Sequence, residues 1–456
     1  MTYRYKVAVI FLLGFFIDCV NIFMSAVALP SIATQLQVSS ASVAWVANAY
    51  ILGLTLAIPI SPWLAARLGN RQVIAASMLL FSLAGLFCGL AEGFLPLVAW
   101  RLLQGMAGGL LIPLGQALTF NLFQGSQRAR ISTLVMAVAL LAPALSPTLG
   151  GTIVDLGSWR WVFFASLPLS LLTALLAWCW IANEDRQAAR RPDLRGLLLV
   201  SGALAGLLLG MSLYGSGYPA QQALACLAGG LAFALAYRWH CRRNPQPIVD
   251  LRLLGNVRLG LSVAIYHAIP GIFTGVNLLS LFFLQDNLHL SARHSGLFML
   301  LYAAGALWAM LACGRFYNHL GAARLFAIAL VLHSAGIATL CWVDSSRDLP
   351  LLIGAYLLMG LGGGAGANTA QTTALLDFSG SDTHQASVIW NINRQMAFSL
   401  GAAWLLMLYN LLLGHVPATS AFHLSLLLAA LAGLLILPLL GKLTPPKKVL
   451  HAPVDR

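Results

Sequence analysis

Residues 7–30 read VAVIFLLGFFIDCVNIFMSAVALP. Apart from Asp18, Asn21 and Ser25 the run is apolar or small, and about 20 such residues suffice for a helix to cross the hydrocarbon core of a bilayer. Ala26-Val27-Ala28, behind Arg4 and Lys6, has the form of a signal-peptide cleavage site. A signal peptide, however, has an apolar core of about 7–15 residues. This one is longer and carries a midspan carboxylate, so it reads as an uncleaved first membrane span.

Composition extends that reading to the whole chain. Of 456 residues, 59% are hydrophobic and only 9% charged, and mean hydropathy is +0.84. A soluble globular chain carries about 25% charged residues, so this chain cannot cover a water-exposed surface. Soluble enzymes, nucleic-acid-binding proteins, disordered chains and fibres are excluded. A β-barrel would alternate in segments of about ten residues, whereas the apolar runs here are long. The fold class is an all-α polytopic membrane protein with the lipid bilayer as its first partner.

Fourteen such runs are legible, near 7–30, 43–65, 72–92, 95–118, 131–154, 160–182, 196–214, 219–239, 258–284, 295–315, 323–343, 349–374, 387–413 and 421–441. Lys and Arg collect in cytoplasmic loops, which tests the count. With the N-terminus inside, only Arg160, Arg293 and Arg347 of the 26 Lys and Arg fall in outside loops, and Arg101 and Arg394 fall within spans. The other 21 (26 less 3 less 2) are cytoplasmic. One miscounted helix would invert the bias for every later loop, and it never inverts. The net charge of +13 is thus a record of topology, not of nucleic-acid binding. Both termini are placed in the cytoplasm.

Residues 1–182 form a first group of six spans and 258–442 a second, with 443–456 as a cytoplasmic tail. Between them, 183–257 holds two extra spans flanked by basic stretches. Ala66-Arg67-Leu68-Gly69 after span 2 is echoed by Asn318-His319-Leu320-Gly321 after span 10, each followed by a basic residue, Arg71 or Arg324. Two repeated six-helix halves with a site between them are the plan of an alternating-access transporter.

Enzyme and metal motifs are missing, so neither cofactor nor metal is expected. The glycine run Gly360–Gly366 follows no strand and lies in an apolar span, where it serves close helix packing. The seven cysteines show no metal-ligand spacing and read as small buried hydrophobes.

Charges inside spans are the informative residues, since each costs about 2.5–3.5 kcal/mol at a helix centre and so faces a cavity or a partner. Asp18 is the only carboxylate near a bilayer midplane, and Asn21 and Ser25 at i+3 and i+7 share its helical face. Arg101 enters span 4 about 9 Å from Asp18 in depth, by 1.5 Å rise per residue. The two are expected to meet if their helices adjoin, as a proton site (Asp18) beside a fixed charge (Arg101). Further candidates for lining a substrate cavity are Gln104, Gln116, His267, Thr274, Asn368, Gln371, Asn393 and Arg394.

Several motifs resemble the major facilitator superfamily in its fourteen-helix drug:proton antiporter branch, over nearly the whole chain. Ala142-Pro143-Ala144-Leu145-Ser146-Pro147-Thr148-Leu149-Gly150-Gly151 is similar to the antiporter signature of span 5, with Ser146 where glycine is usual. Arg101-Leu102-Leu103-Gln104-Gly105 resembles the span 4 signature, whose arginine the family links to proton transfer. Ser158-Trp159-Arg160-Trp161 and Pro247–Leu254 resemble the segments entering spans 6 and 9.

The resemblance implies gating roles for Pro143, Pro147, Gly150 and Gly151, and for Arg67, Gly69 and Arg71 in the loop after span 2. Two positions depart from the family pattern. The family's span 1 aspartate falls at Asn21, one turn after Asp18. The latch aspartate of the loop falls at Ala66.

The expectation is an exporter of small drug-like or lipophilic compounds driven by protons, in a bacterial inner membrane. Alternatives are a dedicated exporter of a metabolite such as a siderophore, a proton-coupled symporter, and a non-transporting receptor or scaffold. A periplasmic adaptor is left open as a further partner.

Overall fold

The computed structural model describes residues 2–123, 126–182, 192–215, 219–284, 292–343, 345 and 348–443. The basic stretch 183–191 and the tail from 444 lie outside the described residues, as do the side chains of Pro143 and Pro147. All regular structure among the described residues is helical.

The long elements are α1 (Tyr3–Leu36), α2 (Trp45–Leu68), α3 (Asn70–Leu90), α4 (Phe94–Leu122), α5 (Ser126–Leu156) and α6 (Arg160–Trp180). They continue with α7 (Leu194–Gly215), α8 (Ala220–Arg243) and α9 (Val257–Ser280), the last containing a π-turn at His267–Gly271 around Pro270. A helical stretch Ala292–Thr339 follows, then α12 (Leu349–Ala374), α13 (Ser381–Leu413) and α14 (Ala418–Lys442).

Twelve helices among the described residues are long and apolar enough to cross a membrane. One of them, Leu297–Trp342, has 46 residues. At 1.5 Å per residue it would reach about 69 Å, more than twice a hydrocarbon core of about 30 Å. It is not straight. Gly321 at φ 75°, ψ 162° breaks it, giving α10 (292–320) and α11 (322–339).

Gly69, between α2 and α3, takes φ 91°, ψ 146°. A side chain is strained at such φ values, so glycine ends the helix and reverses the chain in both places. The sequence echo between 66–69 and 318–321 is therefore a repeated backbone turn.

The first six helices pack on one another, α1 against α4, α5 and α6, and α3 against α4 and α6. Helices α9–α14 form a second group in which α10 and α11 pack on α12 and α9 on α13. Helices α2 and α4 approach backbone to backbone. A Cβ on Gly105 would lie 2.0 Å from the Tyr50 carbonyl oxygen, and one on Gly109 2.2 Å from that of Leu54. Small residues four apart let two backbones touch, the usual device for helix association in lipid. The run Gly360–Gly366 likewise packs backbone to backbone on Tyr302 and Ala306.

Helices α7 and α8 pair with each other, and α7 also rests on α2 and α13. Asn48 of α2 donates to the Ser212 hydroxyl of α7 at 2.5 Å. At the other end Asp193 accepts from the Gly196 amide and the His240 ring, both at 2.9 Å, and from the Ile248 amide at 3.3 Å. The Tyr237 hydroxyl donates to the Val249 carbonyl and accepts from its amide.

Burial pushes the Asp193 carboxyl up, but the Gly196 amide, the His240 ring and the Ile248 amide together hold it below the ordinary carboxylate value of 3.8. A depressed carboxylate stabilises above its ordinary value and loses this as pH falls through the folded value. Proteolysis at residues 244–250 is thus expected to stay constant from neutral pH to near 3.8 and to rise only below it. Asp193→Ala should raise the cleavage rate at neutral pH and remove the rise below 3.8.

Candidate functional site

The polar stripe of α1 faces α4. Asp18 is 2% exposed and Arg101 fully buried. One Asp18 oxygen accepts a hydrogen bond from the Tyr50 hydroxyl, and Oδ2 has no partner among the described residues. Arg101 is satisfied on every nitrogen. Nε donates to the Val46 carbonyl at 2.9 Å, Nη1 to Asn21 and to Gln104 (2.9 Å), and Nη2 to the Ser25 hydroxyl at 3.0 Å.

The expected meeting of Asp18 and Arg101 is realised through a residue that the sequence did not single out. Tyr50 bonds Asp18 with its hydroxyl while its ring lies 4.3 Å from the Arg101 guanidinium carbon. Its one sequence signal is general: a buried tyrosine hydroxyl needs a partner. Arg101 is therefore held by four neutral acceptors and an aromatic face, while the carboxylate stands one ring away.

A second set of polar contacts joins α4 and α5 to α12 and α13. Gln116 accepts from Ser387 at 2.9 Å and from Asn391 at 2.5 Å. The Asn368 amide donates to Thr133 at 3.3 Å and to the Met310 carbonyl at 3.2 Å. Arg128 donates to the Phe120 and Phe123 carbonyls ending α4 and to the Leu375 and Leu376 carbonyls after α12. All these bonds lie toward one face of the bundle, where α1 begins, α4 ends and α5 begins. Arg4 reaches Gln127 there at 3.1 Å. A cavity of about 570 Å³ opens on this terminal face, lined by Trp63, Asn121, Asp193, Pro247, His384 and Gln385 among others.

The remaining candidates are dispersed. Gln371 accepts from the Trp390 indole at 2.5 Å, and Thr274 bonds the Pro270 carbonyl of its own helix. His267 lines a crevice of about 380 Å³ with Ala264, Ile272, Gly401 and Trp404, between α9, α13 and α14. Asn393 is buried and its side chain meets that of His267. Arg394, 8% exposed, lies over the Phe15 ring of α1 at 4.7 Å.

Of the gating residues, Arg67 stacks on Trp63 at 5.4 Å and Arg71 on Trp178 at 4.2 Å. Gly69 forms the turn already described. A Cβ on Gly150 would touch Met24 at 3.4 Å, whereas one on Gly151 would meet nothing within 4 Å. No group of three or more His, Cys, Asp or Glu able to hold a metal occurs among the described residues.

Two six-helix groups meeting at a polar seam, with buried charges in the spans, describe a membrane transporter rather than an enzyme. The family profile of the Major Facilitator Superfamily matches residues 11–280 and 263–456. The chain belongs to the major facilitator superfamily. Among its relatives, the multidrug resistance protein B homolog of Mycobacterium tuberculosis (strain ATCC 25618 / H37Rv) is 30% identical over 389 residues, 83% of this chain and 71% of the relative.

Two solved members of the superfamily share its fold. The human organic anion transporter MFSD10 (TETRAN) aligns with a TM-score of 0.67 at 16% identity, over 96% of this chain and 100% of that one. The proton:xylose symporter XylE aligns at 0.63 and 15%, over 95% of each chain. At such identities the likeness concerns the fold alone.

Proposed function

We propose that this superfamily member is a fourteen-span, proton-driven exporter of small molecules. Taking Ala292–Thr339 as two spans and Ser126–Leu156 as one gives that count. Residues 1–182 and 258–442 are then the rocking halves, and α7 with α8 is an insert. The charge bias of the loops puts both termini on the cytoplasmic side of a bacterial inner membrane. The name of the M. tuberculosis relative points to drug-like cargo.

One observation carries the reading. Asp18 is buried at midspan with one oxygen on Tyr50 and the other without a partner among the described residues. Such a group is costly in a membrane and marks an ion or proton pathway. In this proposal a proton from outside binds Asp18, weakens its hold on Tyr50, and alters the α1 face that Arg101 grips. The terminal face, bridged by Arg128, Gln116 and Asn368, is the inner gate, and export requires those bonds to part.

One charge crossing 100 mV releases about 2.3 kcal/mol, and a tenfold gradient costs about 1.4 kcal/mol. One net charge therefore sustains about a 50-fold gradient before any pH contribution. Efflux from loaded cells, measured with and without a protonophore, tests this. Uphill efflux should collapse to passive leak with the protonophore; undiminished uphill efflux, with no other ion gradient, sinks the proton claim.

A further inference from the structure

We infer that Arg394 is an anion-binding group of the transport site, and that the cargo carries an oxyanion such as a carboxylate, sulfonate or phosphate. The inference rests on the transport reading above and names its substrate class.

The two midspan arginines are held very differently. Arg101 has an acceptor for each nitrogen. Arg394 is almost as deeply buried, yet among the described residues its only close partner is a ring face, that of Phe15 across the seam. An aromatic face attracts a cation but accepts none of its five N–H donors. A guanidinium fork matches an oxyanion bidentately, and the match is strongest where water is excluded.

Charge counting points the same way. The described midspan residues carry two positive charges, Arg101 and Arg394, against one negative, Asp18. Asp18, Cys19 and Tyr266 lie within electrostatic reach of Arg394, and Asp18 is the only one of these that is a carboxylate. With Asp18 ionised, one bound anion brings the interior to neutrality, which suits passage through a low-dielectric bundle. A cationic cargo would raise the imbalance instead. Because Phe15 belongs to α1 and Arg394 to α13, the anion would sit where the two helix groups meet.

Purified full-length protein in lipid nanodiscs can be titrated with three probes of one shape: 2-naphthalenesulfonate, neutral 2-naphthalenesulfonamide and 2-naphthyltrimethylammonium. The sulfonate should bind at least tenfold more tightly than either other probe. Arg394→Gln should weaken the sulfonate about tenfold and change the sulfonamide less than twofold, while Arg394→Lys retains most of the preference. Equal binding of the three, tighter binding of the cation, or no binding at all overturns the assignment, and none of these depends on a variant folding. Uptake of the same probes into everted vesicles separates the two readings. Proton-driven flux with a cation preference would leave export standing and remove the anion site. An Arg394-dependent anion preference without proton-driven flux would do the reverse.

Discussion

Asp18→Asn is expected to reduce pH-dependent uphill efflux to the level of vesicles lacking the protein, while the yield of folded protein stays unchanged. An amide keeps the shape of the carboxyl, and its carbonyl can still accept the Tyr50 hydroxyl, so the packing of α1 on α2 survives. What is lost is the capacity to take up and release a proton, which an amide lacks in this pH range. Asn21→Ala removes one of the acceptors of Arg101 and should cost about 1–3 kcal/mol of local stability with partial loss of transport.

The exchange Asp18→Asn with Asn21→Asp is the sharper test. It places the carboxylate on Arg101 directly, where the span 1 acid falls in the family pattern, and transport should recover. Proton-driven efflux by Asp18→Asn at the wild-type rate would remove Asp18 as the proton site. His267, in its crevice beside α13 and α14, would then be next.

Gly105→Val should abolish recovery of folded protein, read as the loss of a monodisperse peak on size exclusion after membrane extraction. A Cβ there would overlap the Tyr50 carbonyl oxygen, which is backbone and cannot turn aside. Helices α2 and α4 would have to separate, at a cost above the ~1–3 kcal/mol of ordinary overpacking. Separation would also draw Tyr50 from Asp18 and the Val46 carbonyl from Arg101. Gly151→Ala is the matched control. Its Cβ meets nothing within 4 Å, so the variant should extract and migrate like wild type. Equal yields from the two variants would refute the backbone contact.

Much of this architecture was legible before any coordinates, because lipid leaves few choices. Long apolar runs must be helices. Gly69 and Gly321, paired by a weak repeat, do adopt the same reversed turn. The similar depth of Asp18 and Arg101 was legible, and their meeting depended on whether α1 and α4 adjoin.

What could not be read depends on which helices touch. Tyr50 lies in an apolar stretch and acquires its role only because α2 packs on α4 beside α1. Arg128 reads as one more cytoplasmic charge, yet its guanidinium gathers five backbone carbonyls from the two helix groups. Carbonyl acceptors leave no trace in side-chain identity. Thr133 and Ser387 were silent for a similar reason, since a hydroxyl in a membrane helix usually bonds its own backbone, as Thr133 also does to Ala129.

The glycine contact between α2 and α4 has a mechanical side. Two backbones interlocked at Gly105 and Gly109 cannot shear past each other, so the pair behaves as one stiff beam. Arg101 is anchored within that beam through the Val46 carbonyl, and its other arm reaches out to Asn21 and Ser25 on α1. Within the first helix group, a slide of α1 along the beam by one helical turn, about 5.4 Å, would carry Asn21 out of the grip of Arg101 and bring Asp18 into it. In that motion Asp18, Asn21 and Ser25 would be successive teeth of a rack, and Arg101 the pawl that engages them.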